Sequence, residues 1–145
     1  MIQIEYPPYQ PLVKMIQGKK FLFDSFRKKW VFFTPEEWVR QHFLQYLIQE
    51  KKYPARLIAV EKEMLLNEQK RRFDILVYNS LHQPWMVIEC KQMDEPLSEK
   101  VLQQALQYNL VLQCQYLVVT NGTYTAAYHL TNGSFEELFS LPDYV

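Results

Sequence analysis

The sequence predicts an α/β domain with a mixed central sheet and flanking helices, and three observations carry that reading. A strong helix start lies at Thr34-Pro35-Glu36-Glu37, and three β-rich apolar segments separated by short turns follow between residues 56 and 91. A second amphipathic stretch after Ser98 then leads into the apolar run at 115–120, the order of a parallel crossover. With 145 residues, 48% of them hydrophobic and 22% charged, the chain fits one domain with its own core over 1–145. Its parts are expected to be an arm and hairpin (1–33), a core (34–130) and a C-terminal tail (131–145).

Pro7, Pro8, Pro11 and Gly18 mark residues 1–18 as an irregular arm. Lys20-Phe21-Leu22-Phe23-Asp24 and Arg27-Lys28-Lys29-Trp30-Val31-Phe32-Phe33 are aromatic-rich extended segments, expected to form a hairpin over one edge of the main sheet. Thr34 caps a helix running to about Glu50, Pro35 suits its first position, and Glu37 completes a capping box. Val39, Phe43, Tyr46 and Leu47 form its core stripe, while Glu37, Arg40, Gln41 and Leu44 occupy a neighbouring face. Glu37 is thus either a capping residue or a carboxylate near a functional site.

Residues 56–66 read as the first core strand, the Asn67-Glu68-Gln69-Lys70 turn leads into the second, and three consecutive strands joined by short turns predict an antiparallel meander. Glu61 and Glu63 share a face of the first strand, either as surface charge or as a further carboxylate of a site. After Asp94-Glu95-Pro96, Ser98 caps the second helix, with Val101, Ala105, Tyr108 and Leu112 on one stripe. Gln104 and Tyr108 are one turn apart, so they either project as a polar pair toward the strand ends or, for Tyr108, pack in the core. Asn121-Gly122 and Asn132-Gly133 are turns bracketing a last strand, and 135–145 is expected as a short helical turn plus an end segment.

The chemistry concentrates in Arg71-Arg72-Phe73-Asp74-Ile75-Leu76-Val77-Tyr78 and Pro84-Trp85-Met86-Val87-Ile88-Glu89-Cys90-Lys91. Alternation puts Phe73, Ile75 and Val77 on one face, and Arg72, Asp74 and Leu76 on the other. A hairpin folded about the intervening turn pairs Tyr78 with Trp85, Ile75 with Ile88 and Asp74 with Glu89. Two opposed carboxylates repel, and a half-buried one is driven to protonate unless a cation intervenes; a divalent metal would resolve the conflict. Lys91 shares the Glu89 face, near enough to orient a water or offset negative charge.

Formal net charge is zero, yet all sixteen Lys and Arg precede residue 101, against thirteen of the sixteen Asp and Glu. The clusters Lys19-Lys20, Arg27-Lys28-Lys29, Lys51-Lys52 and Lys70-Arg71-Arg72 either follow a phosphate backbone or are solvated surface. Cys90 and Cys114 are expected as free buried thiols. The N-terminus lacks the basic-then-apolar order of a secretion signal and no stretch is long enough to span a bilayer, so no membrane association and a cytoplasmic location are expected.

Together these blocks resemble the PD-(D/E)xK nuclease superfamily, and within it the N-terminal nuclease domain of type I restriction enzyme R subunits and its stand-alone relatives. The resemblance rests on the 34–41 helix start, Arg72-Phe73-Asp74-Ile75, Ile88-Glu89-Cys90-Lys91, Gln104 to Tyr108 and Val118-Val119-Thr120-Asn121-Gly122. It implies a restriction-endonuclease-like core and metal-dependent cleavage of phosphodiester bonds in DNA. Asp74 and Glu89 would be ligands of Mg²⁺ (or Mn²⁺), with the Cys90 carbonyl as a backbone ligand and Lys91 as the residue that positions water or offsets charge. Glu37, Gln104 and Tyr108 would support the site, and Arg40, Lys70, Arg71 and Arg72 are the expected DNA contacts. Phe73 stands where the superfamily often has proline.

His42, His82 and His129 lack zinc-ligand spacing, and three glycines form no phosphate loop, so this stretch carries no motor of its own. The competing expectation is a catalytically silent nucleic-acid-binding or assembly module of a restriction or defence system. A homodimer or a partner subunit would lengthen the basic surface in either case.

Overall fold

A computed structural model describes residues 1–144. Its N-terminal part is a three-stranded antiparallel sheet of β1 (Val13–Ile16), β2 (Lys19–Asp24) and β3 (Lys29–Phe32). The expected hairpin is there, but the end of the arm is a strand too. Gln17 (φ 51°) and Gly18 (φ 77°) both take the left-handed conformation, which makes a tight two-residue turn and pairs Ile16 with Lys19. Gln17 carries no sequence mark of that geometry.

The helix α1 (Pro35–Gln49) follows, and the Thr34 hydroxyl accepts the Glu37 N–H at 2.9 Å. Only this half of the capping box forms, because the Glu37 carboxylate is drawn elsewhere. A 3-10 turn (Ala55–Leu57) then enters β4 (Ile58–Leu66), β5 (Gln69–Tyr78) and β6 (Pro84–Cys90), the expected antiparallel meander. The helix α2 (Glu99–Asn109), capped by Ser98, crosses to β7 (Tyr116–Thr120), which runs parallel to β6. Two hairpins add β8 (Thr125–Thr131) and β9 (Ser134–Leu138), giving a six-stranded sheet in the order β4-β5-β6-β7-β8-β9.

β9 replaces the helical turn expected in the tail. Asn132 (φ 41°) and Gly133 (φ 82°) close a two-residue hairpin that pairs Thr131 with Ser134. Val145, also within that expectation, lies outside the described residues. The β5–β6 register holds at Ile75 opposite Ile88, but a bulge between Val77 and Tyr78 sets Tyr78 against Pro84 rather than Trp85.

The sheet is sandwiched. Val39, Phe43, Leu44 and Leu47 of α1 pack on Ile75, Val77, Met86, Ile88 and Cys90, while Ala105 and Leu106 of α2 pack on Leu76, Val87, Leu117 and Val119. From Met86 to Ile88 successive β6 residues thus go to opposite cores, as the pleat requires. This mixed sheet with a helix on each face is consistent with a restriction-endonuclease-like core. Among the described residues, no helix is long and apolar enough to cross a membrane.

Candidate active site

One residue breaks the alternation. Phe73 belongs to the α2-side core and Ile75 to the α1-side core, although a regular strand would put both on one face. The irregularity has a partner on β4. Glu61 takes φ 52° between the Val60–Ile75 and Lys62–Phe73 pairs, so β4 and β5 twist locally at the level of Asp74. On the other side of β5, the ladder with β6 begins only at Ile75 and Ile88. Asp74 therefore sits in a fork between strands.

Its carboxylate fills that fork. Asp74 Oδ2 accepts the Cys90 N–H at 2.8 Å, taking the place of a ladder carbonyl, and Oδ1 accepts from Arg40 Nη2 at 3.2 Å. The expected direct pairing of Asp74 with Glu89 is thus replaced by a side-chain bond to the next residue. The two carboxylates still meet, since both line a small pocket with Arg72, Phe73 and Tyr108. Burial raises the pKa of Asp74, opposed by the Cys90 N–H and then Arg40. Burial also raises that of Glu89, with Lys91 lowering it and Asp74 raising it further.

Glu89 is less well served. Lys91 Nζ stands 3.9 Å from Glu89 Oε1, and Glu89 Oε2 is buried with no hydrogen-bond partner. A buried carboxylate oxygen without a donor is costly and marks a place where a cation or a donor is accepted. Lys91 itself is held at the end of β6, where its N–H donates to the Thr120 carbonyl at 2.8 Å. Beyond it, Asn121 Nδ2 donates to the Glu95 carbonyl at 2.8 Å, and Gly122 (φ 91°) lies against α1, where an added Cβ would come within 3.4 Å of Val39. The positive φ and this close approach both favour glycine there.

Behind Asp74 lies a second charge network. Glu37 Oε1 accepts from Arg27 Nη2 at 2.7 Å and from Arg40 Nη1 at 3.2 Å, while its Oε2 accepts from Gln41 at 3.1 Å. Arg40 Nη1 also reaches Glu61 at 3.0 Å, and Arg27 ties Glu61 to Asp24. Glu37 thus touches the site only through Arg40. Arg40, expected as a DNA contact, is 4% exposed; three carboxylates draw its guanidinium inward, so it organises the site instead. Glu61 joins this network while Glu63 pairs on the surface with Lys70, because the positive φ at Glu61 ends their shared face.

Sequence reasoning missed Glu36. It lines an open cleft of about 530 Å³ with Arg27, Thr34, Arg40, Glu61 and Gln92, and burial followed by the Asp74 charge raises its pKa. The spacing of Glu36 and Arg40, one helical turn, was the available signal, and the pair stands 3.8 Å apart.

Tyr108 reaches the pocket from α2. Its hydroxyl donates to the Arg72 carbonyl at 3.3 Å and accepts the Arg72 N–H at 3.4 Å, and the Arg71 guanidinium lies 4.7 Å from its ring centre. Gln104 lies one turn away on an exposed surface with Lys100 and Gln107, outside the Asp74 pocket. Lys70 and Arg72 are exposed on the neighbouring hairpin.

Residues 35–142 match the family model described as type I restriction enzyme R protein N terminus. The chain belongs to that family. Every site residue above except Asp24, Arg27 and Thr34 lies within the matched span, and the three-stranded N-terminal sheet lies outside it. Among solved structures, the chain is similar to a fragment of a protein described as an HsdR subunit of a type I restriction enzyme from Vibrio vulnificus YJ016. Identity is 22%, the TM-score is 0.44, and the match covers 59% of this chain and 18% of that one. The chain therefore spans under a fifth of that relative. Comparison with curated proteins finds no match.

A divalent cation suits this R-protein N-terminal site on chemical grounds. The donors are carboxylate oxygens, one of them buried and unpartnered, and Mg²⁺ prefers oxygen ligands while keeping several waters. Among the described residues, no three His, Cys, Asp or Glu side chains form a closed cage, so water or backbone would complete the set.

Proposed function

We propose that the domain hydrolyses phosphodiester bonds in DNA as the nuclease part of a type I restriction R protein, with Asp74, Glu89 and Lys91 as its reacting residues. The observation that carries this reading is the orphaned Glu89 Oε2 beside a fixed Asp74 and the Lys91 ammonium. Asp74, Glu89 and the Cys90 carbonyl would hold Mg²⁺ or Mn²⁺, which lowers the pKa of a bound water and offsets charge on the scissile phosphate.

The chain's own residues do the rest. The Cys90 N–H and Arg40 lock Asp74 in one orientation before substrate arrives, which removes reorganisation from the reaction. Glu89 presents an unspent acceptor to the same pocket. Lys91 orients the attacking water and offsets the charge that grows on the phosphoryl oxygens. Tyr108 pins the Arg72 backbone two residues before Asp74, and Lys70, Arg71 and Arg72 offer phosphate contacts along the hairpin. The larger R protein or a second copy of the chain would extend that basic surface.

Cleavage of supercoiled, linear and single-stranded DNA with Mg²⁺ or Mn²⁺ tests the assignment. Lys91→Ala and Asp74→Ala should each lower the rate by about 10²–10³-fold, the usual cost of one electrostatic group in a preorganised site. Activity that survives both substitutions overturns it. A second reading, a silent DNA-binding or assembly module, draws on one observation: Arg40 already neutralises Asp74 Oδ1. Salt-sensitive DNA binding by a chain that cuts none of these substrates would favour it.

A further inference from the structure

The N-terminal sheet has a surface that the proposed chemistry does not use. Leu22 and Asp24 of β2 are fully buried on its inner face, and Phe33, just beyond β3, packs there against Trp38 of α1. The cross-strand pairs put Lys14, Phe21 and Phe32 in one row of the opposite face, with Phe23 and Trp30 in the next. The rings meet edge to face, Phe21–Phe32 at 5.7 Å and Phe23–Trp30 at 5.4 Å, and Lys14 Nζ sits 4.2 Å from the Trp30 ring centre. Phe32 is 52% exposed and the other three rings are partly exposed.

The charge around these rings is one-sided. Lys14, Lys19, Lys20, Lys28 and Lys29 are all exposed, whereas the only acid between Lys14 and Phe33 is Asp24, which is buried and bonded to Arg27. A ring surface with Lys14 and Lys19 on its own face, and Lys20 and Lys29 on the opposite face of the same strands, suits a polyanion that carries flat apolar groups. Single-stranded DNA has that chemistry, because unpaired bases stack on aromatic side chains while lysines follow the phosphates. A duplex keeps its base faces hidden. The sheet is also continuous with the site: Val31 and Phe32 of β3 line the same cleft as Glu36 and Arg40, and Arg27, from the turn before β3, joins Asp24 to Glu37 and Glu61.

We infer that the outer face of β1-β2-β3, with Phe21, Phe23, Trp30 and Phe32 framed by Lys14 and Lys19, is a stacking platform for single-stranded DNA that leads a strand toward the cleft of Glu36 and Arg40, beside Asp74. It rests on the nucleic-acid reading of that cleft, but it assigns a new surface, outside the span matched by the family model, and a strand preference.

The test is fluorescence anisotropy in EDTA, so that no cleavage intervenes, with a labelled oligo-dT of about 20 nucleotides, longer than one small stacking platform needs. Single strands should bind, and an unlabelled duplex should compete poorly. Phe32→Ala combined with Lys14→Glu should weaken binding by about tenfold or more, both positions being exposed enough to leave the melting temperature in place. DNA should also quench tryptophan fluorescence, and Trp30→Phe should abolish the quench while keeping most of the affinity, since phenylalanine still stacks. Unchanged affinity in the double variant, a duplex that competes equally, or a quench that persists in Trp30→Phe overturns the platform. So does a dimer, seen by sedimentation without DNA, that Phe32→Ala dissolves, because the rings would then be a contact between copies. Asp74→Asn separates the two readings: it should abolish cutting and leave oligo-dT binding intact. Binding without any cutting by the native chain fails the nuclease reading alone.

Discussion

Asp74 and Glu89 line one small pocket, but the surroundings of their carboxylates differ. Both Asp74 oxygens are bonded, within a network in which Cys90 N–H, Arg40, Arg27, Glu37 and Glu61 answer one another from four chain segments, although Arg40 Nε and Gln41 Oε1 stay unpartnered. Glu89, a few residues along β6, has one distant cation and one oxygen with no partner. A carboxylate with both oxygens bonded is fixed in place, whereas one with a buried unbonded oxygen keeps an unmet demand for charge. The difference assigns roles: Asp74 is held still, and Glu89 is held ready.

Arg40→Ala should produce the largest change in stability. It takes the guanidinium from Asp74 and one of two from Glu37, leaving buried charge under-compensated, and should cost about 3–5 kcal/mol, read by urea unfolding. Arg40→Met, which keeps the buried stem but not the charge, should recover little of that loss. A loss under 1 kcal/mol would show that the network is slack and would erase the contrast with Glu89. Lys91→Ala should behave oppositely, with the rate loss given above and a melting temperature close to native, because Lys91 Nζ holds no short bond. A collapse in stability there would move Lys91 to the structural side.

Much of this was legible in the sequence. Thr34-Pro35 and Ser98 set the helix starts, and the Ile75–Ile88 register followed from the turn between β5 and β6. What escaped notice were backbone choices that residue identity does not announce. Left-handed Gln17 made a strand out of an arm, and left-handed Glu61 turned Glu61 into the Arg40 network and accompanied the break that sends Phe73 toward α2. Arg40 reads as a DNA contact because its position along α1 does not show that two carboxylates from other segments, Glu61 and Asp74, converge on it beside Glu37. Glu36 goes unmarked for the same reason: nothing in the sequence shows that Arg27, arriving from the small sheet, takes Glu37 and leaves Glu36 lining the cleft.

The smallest effect is the sharpest probe of the comparison. Burial raises the Glu89 pKa, so between the ordinary carboxylate value and the raised one the folded chain holds a proton that the unfolded chain has lost. Stability therefore falls as pH rises through that window, and the ionised Glu89 carries its full cost above it. Glu89→Gln removes the charge at nearly constant shape, so it should stabilise the metal-free chain at neutral pH by about 1 kcal/mol, the low end of what an unsatisfied buried group costs. The gain should vanish below about pH 4, where glutamate is protonated in both states. Thermal melts across pH in EDTA measure it. Asp74→Asn should show a smaller gain, because the Cys90 N–H and Arg40 already oppose the burial that raises the Asp74 pKa. A Glu89→Gln variant less stable than native at neutral pH would show that Lys91 already satisfies Glu89, and the readiness assigned to it would be lost.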